Sequence, residues 1–195
     1  MKVSVLSSGS KGNTTYIESN NAKILIDLGN TSKYVKEKLE DLGVFPGDID
    51  AILITHTHVD HIGGLKIFAK KYNIPVYITE VMHKTLDYID NYKLLEDEFD
   101  IKDIHVTTIK TSHDAPDSRG YIISSENKSI VYITDTGYIN KKYFAILSNR
   151  DLLWNLIMMW KCLLMENILL ILDREYYLIK DIYPIMILLS ICLLL

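Results

Sequence analysis

Four side chains of metal-ligating type lie within six residues of one another: His56, His58, Asp60 and His61. They directly follow the almost wholly apolar run 49–55, which predicts a strand buried on both faces. Alternate residues at the end of a strand point to the same side, so we expect His56 and His58 to share a cavity. Asp60 and His61 can turn toward the same cavity one turn later. Imidazole nitrogens and a carboxylate suit Zn²⁺, and also Mn²⁺ or Fe²⁺, and a pair of such ions would generate hydroxide near neutral pH.

The alternative is that these are histidines of an ordinary surface loop or of a helix start. A single histidine would favour that alternative, whereas His-x-His-x-Asp-His after an apolar strand is typical of a metal site. Two other histidines do not share this context. His83 falls on a predicted helix and His105 opens a predicted strand, so we expect both to be surface or packing residues.

The elements that must position this motif alternate between strands and helices over the first 150 residues. Apolar patterns predict eight strands, at 2–8, 14–18, 23–27, 49–55, 75–79, 105–110, 120–124 and 129–134. Helices are predicted across 64–72, around 80–88, and up to Leu42 from a cap at Thr31 or Ser32. The acidic, polar stretch 91–102 is predicted to be surface. Strands interleaved with helices indicate an α/β fold with layers on both sheet faces.

The motif and its neighbours resemble the metallo-β-lactamase superfamily. Residues 24–29 are similar to a family strand that ends in an aspartate, here Asp27, which organises the loop beneath the metals. The segments 111–115 and 133–137 supply the next expected ligands, His113 and Asp135. The resemblance implies two divalent metal ions. The residues implied for them are His56, His58 and His113 on the first metal, Asp60 and His61 on the second, and Asp135 between the two. It also implies a catalytic role for Asp60, which would orient a bridging hydroxide.

The implied fold is an αβ/βα four-layer sandwich, and here its C-terminal part is incomplete. Within the superfamily, the segments 8–14 and 112–115 resemble the YycJ (WalJ) branch, bacterial hydrolases related to phosphodiesterases and nucleases. The resemblance therefore implies a metal-dependent nuclease or phosphodiesterase acting on DNA or RNA through a two-metal bridging hydroxide. Two alternatives remain open: a thioester or lactone hydrolase on the same metal core, and an inactive truncated remnant.

The chain changes character near residue 153. All nine glycines and all six histidines precede residue 150, and 33 of the 44 residues from Leu152 to Leu195 are apolar. The family pattern needs a further histidine near the end of the domain, and none follows His113. We therefore divide the chain into an incomplete metallo-β-lactamase-like domain at 1–153 and an aberrant apolar tail at 154–195. The missing histidine is expected to weaken the second metal site and to leave this chain with low or absent activity.

The genetic code suggests an origin for this tail. The segment 158–161, Met-Met-Trp-Lys, fixes nearly every base because Met and Trp have one codon each. In a shifted frame the codons from residue 154 onward can read Glu-Ser-Asn-His-Asp-Val-Glu, a run that the branch carries. Those under 179–186 can read Lys-Gly-His-Leu-Ser-Asn in the same frame, where the branch keeps its missing histidine. We hypothesise a frameshift after about residue 153, arising from a sequencing error or from a damaged gene.

Composition limits the remaining possibilities. The net charge of −4 gives no overall basic surface, so a nucleic-acid partner would be held by a local patch or by metal. Cys162 and Cys192 form neither a ligand-like pair nor a disulfide framework, which favours a reducing cytoplasm, as does the lack of a signal peptide. The competing interpretation of the tail, a membrane segment, has only the 14 uncharged residues 182–195, fewer than the roughly 20 that a span needs. Nothing in the sequence indicates an oligomeric state.

Overall fold

The fold is given by a computed structural model, which describes residues 1–137, 140–143 and 146 and the backbone of 156–162 and 165–169. Two six-stranded sheets make up the described part of the chain. The predicted α/β class and the sandwich architecture are confirmed.

The first sheet contains six strands in their order along the chain. Its first three strands are antiparallel neighbours, and the next three join in parallel. The strands are β1 (Lys2–Ser7), β2 (Thr14–Glu18), β3 (Lys23–Ile26), β4 (Ala51–Leu53), β5 (Val76–Ile78) and β6 (Tyr92–Leu94). The helices between them are α1 (Ser32–Asp41), α2 (Val59–Ile62), α3 (Leu65–Tyr72) and α4 (Glu80–His83), with a 3-10 turn at Pro46–Asp48.

The second sheet also follows chain order, with antiparallel pairing except between its fourth and fifth strands, which are parallel. A 3-10 turn at Lys141–Tyr143 follows the fourth strand. The strands are β7 (Glu98–Ile101), β8 (Ile104–Lys110), β9 (Arg119–Ser125), β10 (Lys128–Thr134), β11 (Leu156–Cys162) and β12 (Met165–Leu169).

Alternating side chains of the strands build separate hydrophobic layers. One face of the first sheet, including Tyr16 and Leu25, packs under the helices with Leu39 and Phe68. The opposite face of that sheet packs against the second sheet, and Ile24 and Tyr121 belong to this central layer. A third cluster lies on the outer face of the second sheet and consists of Ile109, Ile122, Val131 and Ile133, with Tyr143 packed against it. Period-two alternation thus sets which residues separate the two sheets and which face outward.

Most predicted elements are confirmed, including the cap at Thr31, whose side chain accepts a hydrogen bond from the Tyr34 amide. One prediction was wrong in part, because the helix predicted over 80–88 ends at His83. The segment 91–102 is largely exposed, as predicted, but it also contains the strands β6 and β7, which the sequence analysis did not predict. Both strands lie at a sheet edge and expose most of their side chains. Exposed side chains need not alternate between apolar and polar, so the sequence of these strands carries no apolar pattern.

The predictions for the tail fall largely on residues 147–155, 163–164 and 170–195, which lie outside the described residues. The domain boundary at residue 153 and the frameshift therefore stay predictions. Within the described part of the chain, no helix is long and apolar enough to cross a membrane.

Candidate metal centre

The six predicted ligands lie where strands of both sheets end. His56 and His58 follow β4, and His58 is the residue that precedes helix α2. Asp60 and His61 lie within α2, so one helical turn directly after His58 carries both. From the second sheet, His113 follows β8 and Asp135 directly follows β10. The two sheets thus meet at this edge with ligand-type side chains from both, and the nitrogen or carboxylate atoms of five of these six residues form two compact groups.

The first group contains His56, His58 and His113, whose ring nitrogens come within 4.8 Å of one another. His113 Nε2 lies 3.2 Å from His58 Nδ1, and the rings of His56 and His113 stand edge-on with centroids 4.6 Å apart. Three convergent imidazoles are a common ligand set for Zn²⁺.

The second group contains His56, His61 and Asp135, again within 4.8 Å. The closest approach is 2.9 Å, between His61 Nε2 and Asp135 Oδ2, and His56 Nε2 lies 3.9 Å from the same carboxylate oxygen. Asp60 stands beside this group, with its Oδ2 3.7 Å from His61 Nε2. His56 belongs to both groups, so they adjoin each other in one centre.

His56 has the features of a ligand rather than of a packed polar residue. Its Nδ1 lies 3.0 Å from the Thr55 hydroxyl, while its buried Nε2 has no hydrogen-bond partner among the described residues. Burial, reinforced by the neighbouring imidazoles of His61 and His113, lowers the pKa of His56 to about 2. A neutral ring with an unshared nitrogen lone pair fits a divalent cation, because metal-bound histidine must be deprotonated at the ligating nitrogen.

Asp27, the aspartate that the resemblance implies beneath the metals, contacts the side of the His61 ring that faces away from Asp135. His61 Nδ1 lies 2.7 Å from Asp27 Oδ2, and both residues are fully buried. Asp27 also accepts hydrogen bonds from the Thr55 amide and the Thr55 hydroxyl, each at 2.8 Å. Burial by itself would lower the pKa of His61, but the carboxylates of Asp27 and Asp135 outweigh it and raise that pKa to about 9. Asp27 therefore orients the ring and leaves Nε2 toward Asp135.

The backbone at Asp27 and Asp135 is unusual. Asp27 has φ of 58° and Asp135 has φ of 47°, in the left-handed region that residues with a Cβ rarely adopt. Both follow the last residue of a strand, β3 and β10. Both carboxylates contact His61, Asp27 at Nδ1 and Asp135 at Nε2, and backbone strain of this kind is concentrated at functional sites.

Asn13 is a member of the centre that the sequence analysis singled out only as part of a glycine-rich loop. Its side-chain amide nitrogen lies 3.2 Å from Asp60 Oδ2 and 3.0 Å from His61 Nε2. Its backbone amide donates to the Asp60 carbonyl at 2.7 Å, and its own carbonyl accepts from Gly29 at 2.9 Å. The loop is packed so closely that a Cβ on Gly29 would lie 1.7 Å from the Asp60 carbonyl oxygen. One feature of the sequence could have identified Asn13: it ends the glycine-rich loop and directly precedes β2, the strand beside β3.

The remaining candidates differ in their relation to the centre. Asp114 is largely exposed, and its Oδ1 lies 3.1 Å from His113 Nδ1, where it can orient that ring. His83 stacks on Tyr92, and His105 forms a surface pair with Asp100. Neither histidine belongs to the ligand groups found among the described residues, in agreement with the sequence analysis.

Sequence comparison gives this geometry a family context. The family model described as Metallo-beta-lactamase superfamily matches residues 8–162. The chain is 36% identical over 163 residues to Exodeoxyribonuclease WalJ of Streptococcus pneumoniae, covering 77% of this chain and 60% of the relative. It is 33% identical over 152 residues to Exodeoxyribonuclease YycJ of Bacillus anthracis, covering 74% of this chain and 58% of the relative. The chain thus spans about 60% of the length of these curated relatives.

Solved structures agree at the level of the fold. Rm3 metallo-beta-lactamase matches with a TM-score of 0.62 and 19% identity, over 77% of this chain and 73% of its own. The metallo-beta-lactamase fold protein YhfI of Bacillus subtilis matches with a TM-score of 0.60 and 15% identity, over 74% of this chain and 66% of its own.

Proposed function

This chain belongs to the metallo-beta-lactamase superfamily, and from that premise we propose that it is a metal-dependent hydrolase of phosphodiester bonds in nucleic acid. The observation that carries the proposal is the pair of adjoining ligand groups that share His56, whose buried Nε2 has no protein partner in the described chain. The relatives named exodeoxyribonuclease support nucleic acid as the substrate class.

We assign the residues as follows. His56, His58 and His113 would hold one divalent metal, and His61, with Asp60 beside it, would hold a second. Asp135, which groups with His56 and His61, would serve both metals. Zn²⁺ and Mn²⁺ both suit these nitrogen and oxygen donors. The missing further histidine is expected to make the second metal the weaker one. When bound, such metals supply Lewis acidity and lower the pKa of water toward neutrality.

The chain's own residues would contribute orientation and proton handling. Once a metal displaces the second ring proton, Asp27 would keep the remaining proton of His61 on Nδ1 and leave the Nε2 lone pair to the metal. Asn13 holds the Asp60 carboxylate at 3.2 Å, which fixes an oxygen that can accept a proton from the attacking water. Asp114 lies on the His113 side of the centre, where it can orient that ring without entering the buried core.

The test uses the full 195-residue chain, stripped of metal and reloaded with Zn²⁺ or Mn²⁺. Substrates are single-stranded DNA, double-stranded DNA, RNA, a thioester and a lactone, incubated at high enzyme concentration because turnover is expected to be low. His113→Ala should lower nucleic-acid cleavage at least about 100-fold, since it removes a metal ligand outright. His105→Ala is the matched control, because His105 makes a similar pair with an aspartate on the surface.

The outcomes separate the alternatives. Cleavage of thioester or lactone without cleavage of nucleic acid would contradict the proposal in favour of the other hydrolase class. Metal binding without any turnover would favour the inactive remnant. Near-normal turnover with two tightly bound metals would refute the weakened second site. The DNA and RNA substrates together show which nucleic acid is cleaved, and a cytoplasmic location stays a prediction.

A further inference from the structure

A polar cleft opens beside the candidate metal centre, and of its lining residues only His113 has a role in the chemistry assigned above. It has a volume of about 330 Å³, and its walls come from the end of β8, the loop that follows it, and the turn at Lys141–Tyr143. Six of the residues that line it are Lys110, Thr111, Ser112, His113, Lys142 and Tyr143. Because His113 lines the cleft and also lies 3.2 Å from His58, the cleft adjoins the three-histidine group.

The charge of the cleft is opposite to that of the whole chain. Two lysines, Lys110 and Lys142, belong to its lining, whereas the chain carries a net charge of −4. Among the described residues that line the cleft, the one carboxylate is Asp117, which forms a 2.8 Å ion pair with Arg119. Lys110 reaches the same carboxylate only at 3.5 Å and is well exposed. The local excess of positive charge favours an anion.

The cleft is held in shape by hydrogen bonds between its walls. The Tyr143 hydroxyl accepts from the Lys110 amide at 3.0 Å, which ties the turn to the end of β8. The Lys142 amide donates to the Asn140 side chain, also at 3.0 Å, and the Lys142 ammonium lies 4.8 Å from the Tyr143 ring. The Ser112 amide and carbonyl are both bonded to the segment after Asp135, at 3.1 Å to the Thr136 hydroxyl and 2.8 Å from the Gly137 amide. Both lysines therefore extend from anchored backbone beside the centre.

We propose that the Lys110–Lys142 cleft binds the phosphodiester backbone of single-stranded nucleic acid next to the scissile phosphate, on the His113 side. This inference rests on the proposed function, because it takes the substrate of that function as its ligand. Phosphate contacts by lysine give affinity without base specificity, and hydroxyl groups such as those of Thr111 and Ser112 add hydrogen-bond donors. A cleft of this kind fits one strand of a nucleic acid, whose backbone tracks a positively charged groove.

The experiment measures binding separately from cleavage. A fluorescein-labelled single-stranded 12-nucleotide DNA is titrated with the full chain in EDTA, and anisotropy is followed between 50 and 200 mM salt. Lys110→Gln/Lys142→Gln should weaken binding about 10- to 30-fold at 100 mM salt and reduce the slope of log affinity against log salt by about 1.4, because each lost phosphate contact contributes about 0.7 for single strands. Lys70→Gln/Lys84→Gln makes the same change of charge at two exposed lysines outside the cleft and should bind as the unchanged chain does.

Two further measurements keep the inference falsifiable. Lys110→Arg/Lys142→Arg keeps both charges and should retain most of the affinity, and thermal unfolding should show that the glutamine variant folds. The inference would be overturned if Lys110→Gln/Lys142→Gln bound DNA with the same affinity and the same salt dependence as the unchanged chain. It would also be overturned if the control Lys70→Gln/Lys84→Gln lost as much affinity as the cleft variant. If neither the unchanged chain nor any variant cleaves nucleic acid, but the cleft variants still differ from the unchanged chain in DNA affinity, the proposed function is overturned and the cleft remains an anion-binding site.

Discussion

Replacement of Asp27 by Asn tests how the second ligand group is held. The change keeps the shape of the side chain and removes its charge. Asp27 is fully buried and accepts three hydrogen bonds, from the Thr55 amide and hydroxyl at 2.8 Å each and from His61 Nδ1 at 2.7 Å. An asparagine can keep the bond from the Thr55 amide through its oxygen. Its amino group would then face His61 Nδ1, where it can only donate.

The consequence is a change in the tautomer of His61. With the carboxylate present, the proton stays on Nδ1 and Nε2 lies 2.9 Å from Asp135. With an amide that donates to Nδ1, the neutral ring carries its proton on Nε2, so the ligating nitrogen becomes a donor. Loss of a residue that orients a metal-bound histidine costs about 10- to 100-fold in metal affinity. This corresponds to about 1.4 to 2.7 kcal/mol of binding free energy.

The assay is competition between the chain and a chromogenic chelator for Zn²⁺, for the unchanged chain and for Asp27→Asn. Asp100→Asn is the matched control, because Asp100 forms a pair of the same 2.7 Å length with His105 on the surface. Urea unfolding of the metal-free proteins gives the folded fraction, so that affinity is compared between folded molecules. Affinities of Asp27→Asn and of the unchanged chain that agree within twofold would refute the role assigned to Asp27.

Three further predictions concern the loops and the titration of the centre. Asn13→Ala should lower the cleavage rate about 10- to 100-fold in steady-state assays with little loss of bound Zn²⁺, since a hydrogen bond to a carboxylate contributes about 1.5 to 3 kcal/mol. A loss of Zn²⁺ affinity as large as the loss of cleavage rate would contradict this prediction. Gly29→Ala should lower the free energy of unfolding by about 3 kcal/mol or more, measured in urea, because the new Cβ would collide with backbone atoms. Gly43→Ala should lower it by only about 1 kcal/mol, because Gly43 has φ of 74° but open space around its Cβ position. Equal losses in the two variants would argue against the close packing of Gly29. In the chelator-treated chain, the free energy of unfolding should fall above pH 6.5, because the pKa of His61 is raised to about 9 in the folded state, and below pH 6.5, because the pKa of His56 is lowered to about 2. Urea unfolding at a series of pH values should therefore show a maximum near pH 6.5, with slopes of up to about 1.4 kcal/mol per pH unit on either side. A free energy of unfolding that only rises or only falls with pH would refute this prediction.

The agreement between sequence and structure is best where a pattern is local. The buried strand β4, the hairpin β2–β3 and the capped helix α1 depend on residues that are neighbours in the chain, and all three are confirmed. The edge strands β6 and β7 were missed because their stability comes from backbone pairing with β5 and β8. Their charged or exposed side chains carry no strand period, which is common where an edge must resist further pairing.

The sequence by itself determined the ligand types and the local spacing of the centre. His56, His58, Asp60 and His61 lie close together because a strand end and one helical turn hold them, and this geometry follows from chain connectivity. His113 and Asp135 were expected only through the family resemblance, and the tertiary structure brings them to these residues from the second sheet. Only the tertiary structure decided that Asn13 contacts Asp60 and that Lys110 and Lys142 line one cleft. These contacts join residues more than 30 positions apart, and they form because the apolar faces of two sheets pack together. Their energy is spread over that interface, so no short segment of sequence records it.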